Sequence, residues 1–381
     1  MMTALLQTAA AVTDEIEVEF PNLFGGFAMN YYRGFELFGK IDIYWYGVII
    51  TLGVVLAYIY AMCRVKSFGL SKDRVFDVVF GALICGFLGA RIYYCVFQTL
   101  DPNSGVSYDF VTTFTTIRDG GLAIYGGIIG GFLGGFVMCK IRRVNFFSMC
   151  DIAGFGFLIG QGLGRWGNFF NQEAYGTVTD PGYLLGMTGT IISQENEPGA
   201  LVHPCFLYES VWCLLGFLLL HLYSKKLRTF DGEIMLMYIA WYGLGRAFIE
   251  GLRTDSLMLG SVRISQIVAA ASFVIALGLF VFFKIFTEKK GIPLYVNTEV
   301  SKNLLAADEE AQRKDAEKRE AKRKAREQEA QSILAPDADE IDEVIAVDTP
   351  VEESGETAEQ SDEEPSADAQ ADSAQNNESE E

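Results

Sequence analysis

About seven apolar segments, each about 20 residues long, occupy the part of the chain before residue 290. A helix of that length spans the hydrocarbon core of a bilayer and satisfies its own backbone hydrogen bonds there. The sequence therefore predicts an all-α polytopic integral membrane protein with about seven transmembrane helices. The predicted segments are 44–63, 76–97, 121–139, 149–170, 206–223, 233–252 and 264–286.

The distribution of basic residues predicts the orientation of these helices. Lysine and arginine follow the first, third, fifth and seventh segments, whereas the long connection 173–203 contains neither. Because positively charged loops stay on the cytoplasmic side, we expect the N-terminus outside the cell and the C-terminal tail in the cytoplasm. The basic residues that set this orientation are Arg64, Lys66, Lys72, Arg74, Lys140, Arg142, Arg143, Lys225, Lys226, Arg228, Lys284, Lys289 and Lys290.

The net charge of −19 is concentrated near the C-terminus. From residue 301 onward there are 26 acidic and 9 basic residues, against 23 and 21 in the 300 residues before it. We therefore divide the chain into an extracytoplasmic N-terminal segment 1–42, a transmembrane body 43–287 and a charged cytoplasmic tail 288–381. The nearly neutral body carries no basic field of the kind that binds nucleic acid.

Within the tail, the stretch 306–331 is rich in Ala, Glu, Lys and Arg and is predicted to form a solvated helix. The last part, 335–381, has no basic residue. We expect it to be disordered, because it has too little apolar surface to offset the entropy lost on ordering.

Cysteine and histidine usage gives no sign of a metal site. The seven cysteines form no C-x-x-C pair, and the chain has only two histidines. A formal dinucleotide fingerprint, G-x-G-x-x-G at 162–167, is rejected because no strand precedes it. No metal or cofactor is therefore expected.

The run 164–176, GRWGNFFNQEAYG, places polar residues at the end of the fourth apolar segment. Charged and amide side chains at membrane depth are costly to desolvate unless they meet a partner or a polar ligand. The predicted topology brings polar residues from five other segments to the same depth. The resulting candidates are Tyr46, Arg91, Tyr94, Asp119, Tyr125, Arg165, Asn168, Asn171, Glu173, His203, Tyr208, Tyr242, Arg246 and Glu250.

These candidates also have ordinary structural interpretations. Arg246 and Glu250, four residues apart, could form only an intrahelical ion pair, and lone tyrosines are often interfacial aromatics. However, Arg91, Arg165 and Arg246 outnumber the nearby glutamates, which indicates a bound anion. The planar guanidinium suits phosphate, and an abundant anionic ligand of membrane proteins is a phospholipid headgroup. A transporter or flippase for an anionic lipid or solute is the alternative, although no internal repeat supports it.

Several motifs resemble those of one known family. The signature G-R-x-G-N-F-x-N-x-E-x-x-G is complete at 164–176, and supporting motifs are WYG at 45–47, GARIYY at 89–94, DGG at 119–121, HPCFLYE at 203–209 and YGLGRAFIE at 242–250. In these motifs the chain resembles the prolipoprotein diacylglyceryl transferases over about residues 43–283.

The resemblance implies a bacterial plasma-membrane enzyme. Such an enzyme moves the diacylglyceryl group of phosphatidylglycerol to the lipobox cysteine thiol of a prolipoprotein signal peptide, forming a thioether and releasing glycerol phosphate. Arg165 and Arg246 would stabilise the charge that develops on the leaving phosphate. The implied catalytic set is Arg165, Arg246, Glu173 and Tyr125. The implied lipid-binding set is Arg165, Asn168, Asn171, Glu173, Tyr46, Arg91, Tyr242, Glu250 and His203, with Glu250 orienting Arg246.

The chain departs from the family pattern at Tyr125-Gly126-Gly127, where many relatives carry His-Gly-Gly. Tyrosine titrates near pH 10 and is a poor base at neutral pH, whereas the thiol of the precursor needs help to ionise. The base could be Glu173 or His203, or the arginine field alone could suffice. We favour a Tyr125 that anchors by hydrogen bonding, combined with activation by the arginines.

Overall fold

The computed structural model describes residues 15–38, 41–100, 110–115, 121–197, 199–254, 258–259 and 262–334. The chain divides into two compact units, residues 1–313 and 314–381. The helices of the described residues are α1 Trp45–Arg64, α2 Lys72–Leu100, α3 Phe110–Thr115, α4 Ile124–Arg142, α5 Phe146–Asn171, α6 Thr190–Glu195, α7 Cys205–Lys226, α8 Glu233–Ile249, α9 Ile264–Lys290 and α10 Glu299–Leu334.

Six of these described helices (α1, α2, α4, α5, α7 and α9) are long and apolar enough to cross a membrane. The prediction of a mostly helical polytopic membrane protein is confirmed. The sixth predicted segment, 233–252, corresponds to α8, which has only 17 residues. The count of seven crossings therefore stays a prediction.

Short β-strands, which were not predicted from the sequence, accompany the helices. The strands are β1 Glu15–Phe20, β2 Phe27–Tyr32, β3 Gly34–Leu37, β4 Ile41–Tyr44, β5 Thr188–Gly189, β6 Met258–Leu259 and β7 Val262–Arg263. Strand β1 lies between β2 and β5 in an antiparallel sheet, and β3–β4 and β6–β7 form separate two-stranded sheets.

Alternation of side chains explains why β1 forms a strand. Ile16, Val18 and Phe20 are buried, whereas Glu15 and Glu17 are exposed and Glu19 is half-buried, which is the period of two that a half-buried strand requires. The buried face packs on a cluster that includes the end of α5 and the start of α7. The N-terminal hairpin β1–β2 thus covers the end of the helix bundle that carries the signature run 164–176.

Glycines allow α2 and α4 to approach each other closely. A Cβ atom at Gly126 or Gly130 would collide with the backbone oxygen of Gly89 or Cys85 on α2. Small residues that let helix backbones touch are typical of membrane helix pairs. The glycine-rich third segment is therefore a packing surface.

Helix α5 is the centre of the body and packs against α1, α7 and α8. On the α1 side, a Cβ atom at Gly167 would lie 2.5 Å from a ring carbon of Tyr46. The absence of a side chain at Gly167 therefore lets the Tyr46 ring lie against the last turns of α5.

The opposite end of the bundle is held by buried charges. Arg228 lies over the Phe68 ring at 4.1 Å and is 3.6 Å from the Asp151 carboxylate. Asp151 also accepts a hydrogen bond from the backbone N–H of Gly232 at 2.9 Å, and this contact joins α5 to the start of α8. Burial lowers the pKa of Arg228, but the nearby carboxylate favours its charged form.

The first turns of α10 belong to the first unit and pack near the same end. Arg74 donates two hydrogen bonds to the Asp308 carboxylate, at 2.6 and 2.7 Å, and Ser301 donates to the backbone oxygen of Gly69 at 2.8 Å. The predicted helix 306–331 lies within α10. The predicted boundaries at residues 42 and 287 stay predictions, and the stretch 335–381 lies outside the described residues.

Candidate functional site

The carboxylate of Glu209, on α7, is the centre of the charged cluster. Its Oε2 atom lies 2.7 Å from Nη2 of Arg165, and its Oε1 atom lies 2.8 Å from Nη1 of Arg246. Arg253 reaches the same Oε1 atom at 3.3 Å. Glu209 is 3% exposed. One buried carboxylate therefore holds arginines from three parts of the chain beside each other.

Arg246 has a second carboxylate partner. Its Nη2 atom lies 2.5 Å from Oε2 of Glu250, one helical turn further on. The intrahelical pair considered from the sequence is present, but Arg246 binds Glu209 as well. Together, Arg165, Arg246 and Arg253 face the carboxylates of Glu209 and Glu250.

Asparagine side chains connect this cluster to Glu173. Arg165 donates from Nη1 to the side-chain oxygen of Asn168 at 3.1 Å, and the Asn168 amide donates to Oε1 of Glu173 at 2.8 Å. The Asn171 amide donates to the same oxygen at 3.3 Å. Arg165, Asn168, Asn171 and Glu173 of the signature run therefore form one hydrogen-bonded network.

The backbone around Glu173 is held in an unusual conformation. Gln172, which follows the last residue of α5, and Ala174 both have positive φ, at 50° and 56°, a region that costs non-glycine residues free energy. Gln172 is fixed there because its amide donates to the backbone oxygen of Glu17 and its side-chain oxygen accepts from Ile191 N–H, both at 2.8 Å. The hairpin β1–β2 thus helps to hold the turn that presents Glu173.

A cavity of about 1020 Å³ opens beside this turn. Its lining includes Tyr46, Asn171 and Glu173, all predicted site residues, together with Arg33 and Tyr175. Tyr175 donates a hydrogen bond to Glu195. Burial, reinforced by that carboxylate, raises the pKa of Tyr175 to about 12, so its hydroxyl stays protonated at neutral pH.

Helices α7 and α8 are fixed against each other near the charged cluster. The Trp212 indole donates to the backbone oxygen of Trp241, and the Trp241 indole donates to that of Trp212, both at 2.9 Å. The two rings stack with centroids 4.3 Å apart. A Cβ atom at Gly216 or Gly245 would collide with these rings.

The structure places the other predicted residues in different surroundings. Tyr242 is close enough to Glu209, Arg165 and Arg246 for their charges to act on its hydroxyl group. Arg91, in contrast, is 2% exposed and donates to the backbone oxygen of Gly121 at 2.8 Å.

Tyr125 and His203 are not hydrogen-bonded to the charged cluster in the described structure. Tyr125 is 69% exposed at the start of α4. His203 pairs with the Tyr208 hydroxyl at 3.2 Å and packs against the Tyr183 ring. The candidate Asp119 lies outside the described residues.

Glu209 and Arg253 belong to the cluster but were not among the candidates predicted from the sequence. Glu209 was visible within the motif at 203–209, as a carboxylate near the start of an apolar helix. A carboxylate in that position needs a buried partner. This requirement was the signal by which Glu209 could have been chosen from the sequence. Arg253 gave no comparable signal, because it follows the last residue of the YGLGRAFIE motif by three positions.

A bundle of membrane-spanning helices with a buried arginine–carboxylate cluster, joined through Asn168 and Glu173 to a cavity, defines a multi-pass membrane protein with a polar site at one end of the bundle. The sequence profile of the prolipoprotein diacylglyceryl transferase family matches residues 34–282. The chain belongs to this family.

Curated relatives cover the same part of the chain. A protein of Limosilactobacillus reuteri (strain DSM 20016) is 44% identical over 262 residues, 68% of this chain and 92% of the relative. A protein of Staphylococcus aureus (strain MRSA252) is 40% identical over 278 residues, 71% of this chain and 95% of the relative. Both are named phosphatidylglycerol–prolipoprotein diacylglyceryl transferase. The chain is thus similar to bacterial transferases of lipoprotein biosynthesis.

Proposed function

We propose that this protein transfers the diacylglyceryl group of phosphatidylglycerol to the lipobox cysteine of a prolipoprotein signal peptide. The sulfur of the cysteine thiolate attacks the glyceryl carbon that carries the phosphate. A carbon–sulfur bond forms, the carbon–oxygen bond to phosphate breaks, and its electron pair leaves with glycerol phosphate. The thiol proton passes to a base or to water.

The convergence of Arg165 and Arg246 on one carboxylate is the observation that carries this proposal. Their guanidinium groups are already ordered by Glu209 and Glu250, at 2.5 to 2.8 Å. Preordered donors stabilise charge in a transition state without a reorganisation cost. These two arginines are therefore suited to stabilise the phosphate as it leaves.

The remaining candidate residues are assigned by their position. Asn168, Asn171 and Glu173 form the hydrogen-bonded chain beside the cavity, and we assign them to the polar headgroup. Tyr46 lines the same cavity, and Tyr242 lies near the arginines.

Three further assignments rest on the family motifs. We retain Arg91 and His203 as lipid contacts and Tyr125 as a hydrogen-bonding anchor. Glu173 is a catalytic candidate because its carboxylate could take the thiol proton.

We further propose that the arginine cluster faces the outside of the cell and the C-terminal tail the cytoplasm. The end of the bundle opposite the cluster carries Arg64 at the end of α1, Arg142 at the end of α4 and Lys225 near the end of α7. Positively charged helix ends favour the cytoplasmic side. Labelling of single cysteines placed on each side by a membrane-impermeant thiol reagent tests this orientation.

Arg165→Ala tests the transferase proposal. Purified protein in lipid nanodiscs would be incubated with labelled phosphatidylglycerol and a lipobox peptide. Loss of one positioned donor is expected to lower kcat by about 100-fold to 1000-fold. Arg165→Lys keeps the charge without the planar fork and should remain severely impaired.

Arg142→Ala, at the opposite end of the bundle, is the matched control and should remain active. Full activity of an inserted Arg165→Ala protein would contradict the assignment. A wild-type protein that moves lipid between leaflets but yields no lipidated peptide would favour the transporter alternative.

A further inference from the structure

The segment just before the family match contributes a residue to the candidate site. The match begins at residue 34, so the hairpin β1–β2 and Arg33 lie before it. The hairpin is attached beside the site, because the Tyr31 hydroxyl donates to the backbone oxygen of Phe169 at 3.0 Å and the Tyr31 ring stacks on that of Phe169.

Arg33 lines the same cavity as Asn171 and Glu173. Its Nη2 atom donates to the backbone oxygen of Asn171 at 3.4 Å. Its Nε atom is buried and has no hydrogen-bond partner among the described residues. A buried donor without an acceptor is unfavourable, so the contacts of the described residues leave the Arg33 guanidinium incompletely satisfied.

The charge of Arg33 is also less neutralised than that of the central arginines. Arg165 and Arg246 each lie within 2.8 Å of Glu209. Among the described residues, no carboxylate forms an ion pair with Arg33. An anion therefore gains more from Arg33 than it would from an arginine already paired.

The backbone of Arg33 is fixed by its neighbours. The Trp45 N–H donates to the backbone oxygen of Arg33 at 2.9 Å, and the next residue, Gly34, packs so tightly that a Cβ would lie 2.9 Å from the Ile43 carbonyl carbon. The join between β2 and β3 therefore fixes the backbone of Arg33 at the edge of the cavity.

We propose that Arg33 binds the phosphate of a polyol phosphate ester in this cavity. The ester is either the headgroup of the lipid substrate or the glycerol phosphate that is released from it. Asp42 and Glu173 line the same cavity, and their carboxylates can accept hydrogen bonds from the hydroxyls of the polyol. This assignment rests on the proposed transferase function and adds a headgroup-binding residue from outside the family match.

The test compares Arg33→Ala, Arg33→Lys and Tyr32→Ala in the full-length protein in nanodiscs. Tyr32 is the matched control, because it is the neighbouring residue in the hairpin and its side chain is exposed. Three quantities would be measured: the KM for phosphatidylglycerol, the kcat for transfer to a lipobox peptide, and the inhibition constants of glycerol phosphate and of glycerol. Calorimetric titration with glycerol phosphate gives its binding constant without any turnover.

Arg33→Ala is expected to weaken phosphate binding about tenfold or more, the loss typical of a charged hydrogen bond. The kcat should stay within about threefold, and Arg33→Lys should recover part of the affinity. A change in KM alone assigns Arg33 to the bound lipid, and a change in glycerol phosphate affinity alone assigns it to the product. Inhibition by glycerol, which lacks phosphate, should not change.

Unchanged KM and unchanged glycerol phosphate affinity in Arg33→Ala would overturn the inference. An equal loss in Tyr32→Ala, or an equal loss of glycerol inhibition, would overturn it too, because either result points to a damaged hairpin. Failure of the wild-type protein to lipidate the peptide would instead overturn the proposed function. The calorimetric result would then still decide whether Arg33 binds the phosphate.

Discussion

Replacing Glu209 by glutamine tests whether this carboxylate orients the arginines for the reaction. The substitution keeps the size of the side chain but removes its charge. Glu209 is the only carboxylate in an ion pair with Arg165 among the described residues, whereas Arg246 keeps Glu250. The glutamine oxygen can accept from one arginine, but its amide then faces another guanidinium, donor against donor.

The expected size of the effect follows from these contacts. Removing one partner of a buried ion pair typically costs about 3 to 5 kcal/mol. Arg165 is 19% exposed and can recover some hydration, so we expect a loss near the lower end, about 3 kcal/mol of unfolding free energy. Misorientation of Arg165 should lower kcat by about 100-fold or more, comparable to the loss of one transition-state donor.

The assay measures thermal unfolding and peptide lipidation on the same nanodisc preparation. Glu233→Gln provides a matched control at the opposite end of the bundle. Glu233 is also fully buried and accepts a hydrogen bond from the Tyr223 hydroxyl at 2.6 Å. Its replacement should lower stability while the folded protein keeps its kcat. If Glu209→Gln turned over at the wild-type rate, or if both variants lost activity in parallel with stability, the orienting role of Glu209 would be refuted.

Two other outcomes are expected. If the Tyr125 hydroxyl anchors the substrate or handles a proton, Tyr125→Phe should lower kcat and Tyr125→His should restore it. Unchanged kcat in both variants would place Tyr125 outside the site, in agreement with its exposed side chain. Asp308→Ala removes the bidentate partner of Arg74 and should lower the unfolding free energy by about 1 kcal/mol, a shift in Tm of about 2–4 °C. A chain that ends at Arg313 keeps this pair and should match the wild-type Tm and kcat. Equal Tm values for Asp308→Ala and wild type would show that the Arg74–Asp308 pair does not contribute to stability.

The helices were predictable because the bilayer limits what an apolar segment can do. The predicted segments 44–63, 149–170 and 264–286 correspond to Trp45–Arg64, Phe146–Asn171 and Ile264–Lys290. A long apolar segment in a membrane has to form a helix, because a helix satisfies its own backbone hydrogen bonds. Hydropathy alone was therefore sufficient to predict these helices. The ends differ by a few residues, since polar first and last turns carry no hydropathy signal.

The sheet and the centre of the site were not predictable in the same way. Strand β1 pairs with Thr188–Gly189, about 170 residues further along the chain, and a backbone pairing over that distance leaves no local pattern. Glu209 was quoted within a motif, but its role depends on the placement of α7 beside α5 and α8. Residue types indicated a cluster of arginines, while only the packing of three helices identified the carboxylate that joins them.

The reciprocal indole bonds between Trp212 and Trp241 have a mechanical consequence for the enzyme. Sliding α7 past α8 by even one residue would break both bonds at once and move each indole out of the space that the facing glycine, Gly216 or Gly245, leaves for it. The two helices are therefore locked in register about one turn from Glu209 and Arg246. This contact therefore helps to keep the Glu209 carboxylate 2.8 Å from the Arg246 guanidinium.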